Sequence, residues 1–245
     1  MTEKLAQKLK ENKMKSIAIT IPVCSRNQNY NSIDEIPFLN RFYKSFQITK
    51  ENKYRYEIFL GYDEDDHFYK KNIHILLPIT ENIFELSGCQ HAPAWAWNQL
   101  ASEAYKQNFD YVFQIGDDVN INSEKWTSQF IERLLRNDNI GVVGPCNLKN
   151  IMARELTGKM PVIENAFVHR THLDIFKYFF HPSIRNWYCD DWLTRVYQQE
   201  ISEIQRNIIC ENSIVSGRYN VEQVGNLDQY VEEGIEKIRS YKIRS

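Results

Sequence analysis

Two neighbouring carboxylates at the end of an apolar run are the first chemistry this chain offers. Tyr111 to Ile115 (YVFQI) reads as a buried strand, and Gly116, Asp117 and Asp118 follow it directly. Adjacent carboxylates in such a place repel each other and lose solvation, a penalty that a divalent cation removes. Oxygen ligands suit Mg2+ or Mn2+, which often complete their shells with substrate phosphates. Gly-Asp-Asp is also ordinary turn chemistry, so the tripeptide by itself leaves a metal site and a plain turn equally open. A second acidic stretch, Asp63–Glu64–Asp65–Asp66, follows Tyr56 to Gly61 (YEIFLG). Asp63 lies closest to the strand end and is the candidate for a contact with a base or ribose; the rest fit a solvated loop. A third pair, Asp190–Asp191, opens a helix, where the helix dipole already favours carboxylates. The functional alternative there is a general base, which needs a partly desolvated carboxylate beside the reacting hydroxyl.

The six histidines show no HxxxH or HxH spacing and read as surface or core residues. His169 stands apart because it ends a strand. Trp187 lies close to the acidic pair and offers a face that could stack on a sugar ring, whereas the other tryptophans read as core.

These groups need a scaffold, and the chain alternates strand, loop and helix. Ser16 to Val23 (SIAITIPV) is rich in β-branched residues and ends at polar Ser25, Arg26 and Asn27. Further strands are expected at Tyr56–Gly61, Tyr111–Ile115, Ile140–Val143, Asn165–Val168 and Asn207–Cys210. Helices are expected at Ile36–Phe46, Ala94–Tyr105, Trp126–Leu135, Leu173–Phe180, Asp190–Gln199 and Leu227–Arg239. The pattern predicts an α/β fold, a mostly parallel Rossmann-like sheet with helices on both faces. Ligands of such sheets bind at the carboxyl ends of the strands, where Ser25–Asn27, Asp63–Asp66 and Gly116–Asp118 fall. Residues 1–245 read as a single domain. Residues 1–14 form an N-terminal extension with a short helix over 2–13, and residues 217–245 form a C-terminal helical tail.

Composition narrows the partners. The formal net charge is -2 and no basic stripe is visible, which argues against nucleic acid. Five cysteines lie far apart with no CxxC pair, so neither a zinc site nor a disulfide framework is expected. No apolar run is long enough to cross a membrane and no signal-peptide core is present, so a cytoplasmic protein without a transmembrane segment is expected.

Taken in order, these pieces resemble the GT-A glycosyltransferases, family 2 most closely, over Ser16 to Ser216. ITIPVCSRN looks like the opening nucleotide-binding segment, which brings in Pro22, Ser25 and Arg26. EIFLGYDEDD looks like the second strand, whose acid contacts base or ribose; that role maps to Asp63. SGCQHAPAWAWNQLASEA is similar to the helix before the metal motif and maps Asn98 onto it, with Gly88 in the preceding loop. YVFQIGDDV stands in place of the DxD motif, with Gly116 where the first Asp is usual. Asp118 is then the metal ligand, and Asp117 contacts ribose or the metal. The other register makes Asp117 first and Val119 last. NAFVHRTHLDIF looks like the strand and helix that border the acceptor site and brings in His169. CDDWLTRVY resembles the "ED…R" signature, which maps Asp191 onto the catalytic base and Arg195 onto the following basic position, with Asp190 and Trp187 beside them.

The resemblance implies transfer of a sugar from a UDP-, GDP- or dTDP-sugar to a glycan or other hydroxyl acceptor, with Mn2+ or Mg2+ as cofactor and inversion at the anomeric carbon. One alternative is a catalytically silent domain of the same fold that binds glycans or protein partners. A sugar nucleotidyltransferase is a weaker one, because VCSRNQN lacks the glycines of a phosphate loop.

Overall fold

The computed structural model describes residues 14–213 and 222–244. The helix expected over 2–13 and the start of the C-terminal tail, 217–221, lie outside them. The strands are β1 (Ser16–Val23), β2 (Arg55–Asp63), β3 (Ile83–Leu86), β4 (Tyr111–Gln114), β5 (Val119–Ile121), β6 (Gly141–Cys146), β7 (Ala166–His169) and β8 (Ile201–Asn212). The helices are α1 (Lys44–Thr49), α2 (His67–Asn72), α3 (Pro93–Lys106), α4 (Trp126–Leu135), α5 (Leu148–Leu156), α6 (Thr171–Phe176), α7 (Cys189–Val196) and α8 (Leu227–Arg244). A π-helical stretch, Phe38–Tyr43, leads into α1.

The β-branched run of β1 buries both of its faces. Ile17, Ile19, Ile21 and Val23 join one apolar layer with Phe42, Phe46, Trp126 and Phe130, which brings α1 and α4 to that side. Ala18 joins the opposite layer with Leu100, Phe176 and Trp192, under α3, α6 and α7. Burial on both faces is what a parallel strand sandwiched between helices requires. The sheet order is β3-β2-β1-β4-β7-β6-β8-β5. β3, β2, β1 and β4 run parallel, so their carboxyl ends share one edge. β7 then runs antiparallel to both β4 and β6. β8 is parallel to β6 and antiparallel to β5. The sheet is therefore mixed, though mostly parallel as expected, and the reversal at β7 matters for the site.

Asn207–Cys210 is only the end of a 12-residue β8 whose first half is partly exposed. The helix expected to run to Phe180 stops at Phe176, where Lys177 takes a left-handed φ of 67°. α8 closes the second layer. Trp192 Nε1 donates to the Tyr230 carbonyl at 3.0 Å. At Gly234 a Cβ would lie 2.6 Å from Val196 Cγ1, so only glycine lets the helices approach this closely.

Beneath α7, His172 is buried, with Nδ1 2.9 Å from the Tyr197 hydroxyl and Nε2 2.8 Å from the Phe179 carbonyl. Burial lowers its pKa from 6.5 to about 4. The folded state thus holds this imidazole neutral where the unfolded chain would protonate it. Stability should be full above the unfolded pKa of 6.5 and fall as pH drops toward 4, by up to about 3 kcal/mol for this one group. Urea unfolding between pH 7.5 and 4.5 should show that loss, and His172→Gln should remove this group's share of it, leaving that of His169, whose pKa burial also lowers to about 4. An equal slope in the variant would assign the acid sensitivity elsewhere.

Candidate active site

At the end of β1, Ser25 is latched to the loop after β2. The Asp66 carboxylate accepts from Ser25 N at 2.6 Å and Ser25 Oγ at 2.7 Å. It also caps α2 by accepting from Tyr69 N at 3.0 Å. A single buried acid thereby fixes two loops and a helix start, a structural task the sequence reading had not given Asp66. Ser25 is thus tied inward. Next to it, Arg26 Nη2 donates to Asp63 Oδ2 at 2.9 Å and lies 3.7 Å from Asp65 Oδ1. Burial raises the Asp63 pKa, and the Arg26 guanidinium works against that rise. Pro22 pairs in register with Gly61, so it sits between these loops and the sheet.

The segment Gly116–Asp118 leaves the same edge from β4. Asp117 is buried, whereas Asp118 is half-buried. Ser213 reaches it from the end of β8, with Oγ 3.4 Å from Asp118 Oδ2 and N donating to the Asp118 carbonyl at 3.2 Å. Val119 carries no side-chain oxygen and is fully buried, so the register that makes it the last motif position leaves Asp117 as its only acid. A Cβ on Gly116 would lie 2.9 Å from Asp118 Oδ1, so glycine keeps open the space that a first Asp would crowd. Among the described residues no three His, Cys, Asp or Glu side chains gather as a metal site. One accessible carboxylate fits a Mg2+-like ion that draws its remaining ligands from phosphate and water.

Across from Asp118 stands a carboxyl group the sequence reading missed. Glu164, just before β7, accepts from Asn150 Nδ2 at 2.5 Å and Asn147 Nδ2 at 3.3 Å, both from the start of α5. Burial raises its pKa, and the Asp118 charge adds to the rise. Beyond it lies the acidic pair of α7. The Asp190 pKa is raised by burial first, then by the charges of Asp191 and Glu164. Asp190 Oδ1 accepts from Asp191 N at 2.9 Å. Asp191, the residue mapped onto the base, is instead paired to Arg154 of α5, with Nη2 2.6 Å from Oδ1 and Nη1 3.5 Å from Oδ2. Trp187, 52% exposed, stands two residues ahead of this helix.

Three residues expected at or beside the site lie elsewhere or have other duties. His169 is paired with Tyr111, at the start of β4 and hence at the sheet edge opposite Asp118. Because β7 is antiparallel, its amino end, with Glu164 and Asn165, faces the site. Asn165 Oδ1 there accepts from Gly116 N at 3.4 Å. Asn98 spends its amide on the turn after α6. Its Oδ1 accepts from Phe179 N and Phe180 N at 2.9 and 2.6 Å, and its Nδ2 donates to Phe180 O at 2.8 Å. Arg195, mapped to the basic position of the signature, pairs with Asp228 of α8 at 2.6 Å.

The chain has the fold of the GT-A glycosyltransferases. Solved structures agree. The chain is similar to a shortened form of S. aureus TarS, with TM-score 0.56 and 13% identity over 93% of this chain and 72% of that one. The UDP complex of that form gives TM-score 0.54 and 11% identity at the same coverage. Glucosyl-3-phosphoglycerate synthase from Mycobacterium tuberculosis, in complex with Mg2+ and UDP, gives 0.52 and 13% over 98% of this chain and 83% of that one. The chain spans 44% of the longer TarS chain. At these identities the likeness establishes the fold. No protein-family model and no curated protein sequence matches the chain. Among the described residues no helix is long and apolar enough to cross a membrane.

Proposed function

We propose that the protein transfers a sugar from a nucleoside-diphosphate sugar to a hydroxyl acceptor, with inversion. The observation that carries this reading is the gathering of three kinds of group at one sheet edge. The Arg26–Asp63 pair suits a base or ribose, the accessible Asp118 carboxylate suits a cation shared with a diphosphate, and the Asp190–Asp191 pair suits an acceptor hydroxyl. UDP is the nucleotide we favour, because two of the solved structures the chain resembles are complexes with UDP.

In this reading Arg26 orients Asp63, leaving its other oxygen for the nucleotide. Asp118 would hold Mg2+ or Mn2+, which when bound offsets the charge developing on the departing diphosphate. The base comes from the acidic pair, and the two acids differ in what surrounds them. Asp191 is engaged by Arg154, whereas burial and like charges make Asp190 the readier proton acceptor. We therefore place the base at Asp190, with Asp191 as the reading that the Asn variants below would restore. Attack from the face opposite the diphosphate, assisted by one base, gives inversion. Trp187 offers its exposed face to the acceptor sugar.

A thermal-shift panel tests the reading. UDP-, GDP- and dTDP-sugars with Mg2+ or Mn2+ should include at least one that raises the melting temperature, since ligand at about 100 times its Kd stabilises by about 2.7 kcal/mol. The stabilising sugar nucleotide should also be slowly hydrolysed. Stabilisation without hydrolysis would mark a silent binding domain, and no stabilisation by any of them would end the donor assignment.

A further inference from the structure

One short helix reaches acids on two different elements. From its start, Asn147 and Asn150 hold Glu164; from its last turn, Arg154 holds Asp191. The guanidinium is fixed at both ends of its fork. Nη2 and Nη1 meet the two Asp191 oxygens, and Nε donates to the Met160 carbonyl at 2.7 Å. A carboxylate gripped in this two-point way has its lone pairs committed and its direction set. Asp191 is accordingly drawn toward α5, while its neighbour stays beside Glu164.

We infer that Arg154 is a positioning residue: by holding Asp191 toward α5 it leaves Asp190 as the carboxylate presented to the acceptor, an inference that rests on the transferase reading above. Among the described residues, several groups act on Asp190. Cys189 and Asp191 share its helix, Glu164 comes from the lead-in to β7, Arg154 from α5, and Asp118 lies beyond Glu164. Among the described residues Arg154 is the cation that acts on both Glu164 and Asp190, and it opposes the rise of each. Removing it withdraws positive charge from Asp190 and frees Asp191 to turn inward, where a second negative charge faces the first. Both changes act in the same direction.

The test follows the Asp190 carboxyl by carbon-13 NMR across pH in wild type, Arg154→Met and Arg154→Lys, beside the pH dependence of kcat/KM. In Arg154→Met the Asp190 midpoint should move up by about half a pH unit, less than the 1 to 3 typical of a direct cationic partner. The acid limb of kcat/KM should move with it, kcat should fall and donor KM should stay the same. Arg154→Lys keeps the charge and should return the midpoint to the wild-type position. An unmoved midpoint in a folded Arg154→Met protein overturns the inference, as does a fall in donor affinity equal to the fall in kcat. Should Arg154→Met fail to fold, Arg154→Gln keeps a donor for the Met160 carbonyl and is read the same way. If wild type turns over no sugar nucleotide, the transferase reading fails, and the NMR midpoint still decides what Arg154 does.

Discussion

Asp190→Asn should reduce sugar transfer by about 100- to 10,000-fold, the usual cost of losing a general base, while donor affinity stays at the wild-type value. Asparagine keeps the volume and the bond from Asp191 N at 2.9 Å but cannot take a proton at neutral pH. The Arg26–Asp63 pair and Asp118 leave other strands and are untouched by the change. Asp191→Asn should cost less, because its main partner is a guanidinium rather than the site. The raised Asp190 pKa adds a signature: the acid limb of kcat/KM should lie above the ordinary carboxylate range. Steady-state transfer rates and calorimetric donor affinities for the two Asn variants decide the matter. A dead Asp191→Asn beside an active Asp190→Asn would return the base to Asp191. Full activity in both would remove the base from this helix altogether.

Asp118→Ala should abolish the strengthening of nucleoside-diphosphate binding by Mg2+ or Mn2+. It should also lower turnover by about 100- to 1,000-fold, or about 3 to 4 kcal/mol of transition-state stabilisation. The reason for so large an effect is that no three His, Cys, Asp or Glu side chains gather among the described residues, so the proposed ion would depend heavily on Asp118. Calorimetry of UDP with metal and with chelator reads the result. Equal affinity under the two conditions in wild type would reject the metal role, whatever the variant does.

The half of the molecule built on the parallel strands was legible from the chain because its signals are physical and local. SIAITIPV forms β1 over the expected residues, and α4 spans Trp126–Leu135 as its periodicity predicts. The half beyond β4 was harder for specific reasons. β7 is four residues long and apolar, and nothing in AFVH reveals its direction. Assuming a parallel strand selects His169 at its end; the antiparallel strand puts Glu164 at the site instead. α5 escaped notice because its apolar residues mislead. Leu148, Met152 and Leu156 face solvent and Ile151 alone is buried, so no inward stripe marks the helix that carries Arg154. Asn98 was located on the expected helix, but whether an amide serves a ligand or a backbone turn is decided by a partner some 80 residues away, at Phe179 and Phe180. Similarly, four acids in a row after β2 do not announce that Asp66, the last of them, is the latch.

The seating of α7 against α8 sets an order of events during synthesis. Strands β1 to β4 lie within residues 16–114, so all four parallel strands have left the ribosome long before α8 does. The acidic helix rests on a partner that is made last: Trp192 needs the Tyr230 carbonyl, and Val196 needs Gly234. A nascent chain would therefore have its parallel strands in hand well before α7 has its seat, so the Asp190–Asp191 pair is the last part of the proposed site to be placed.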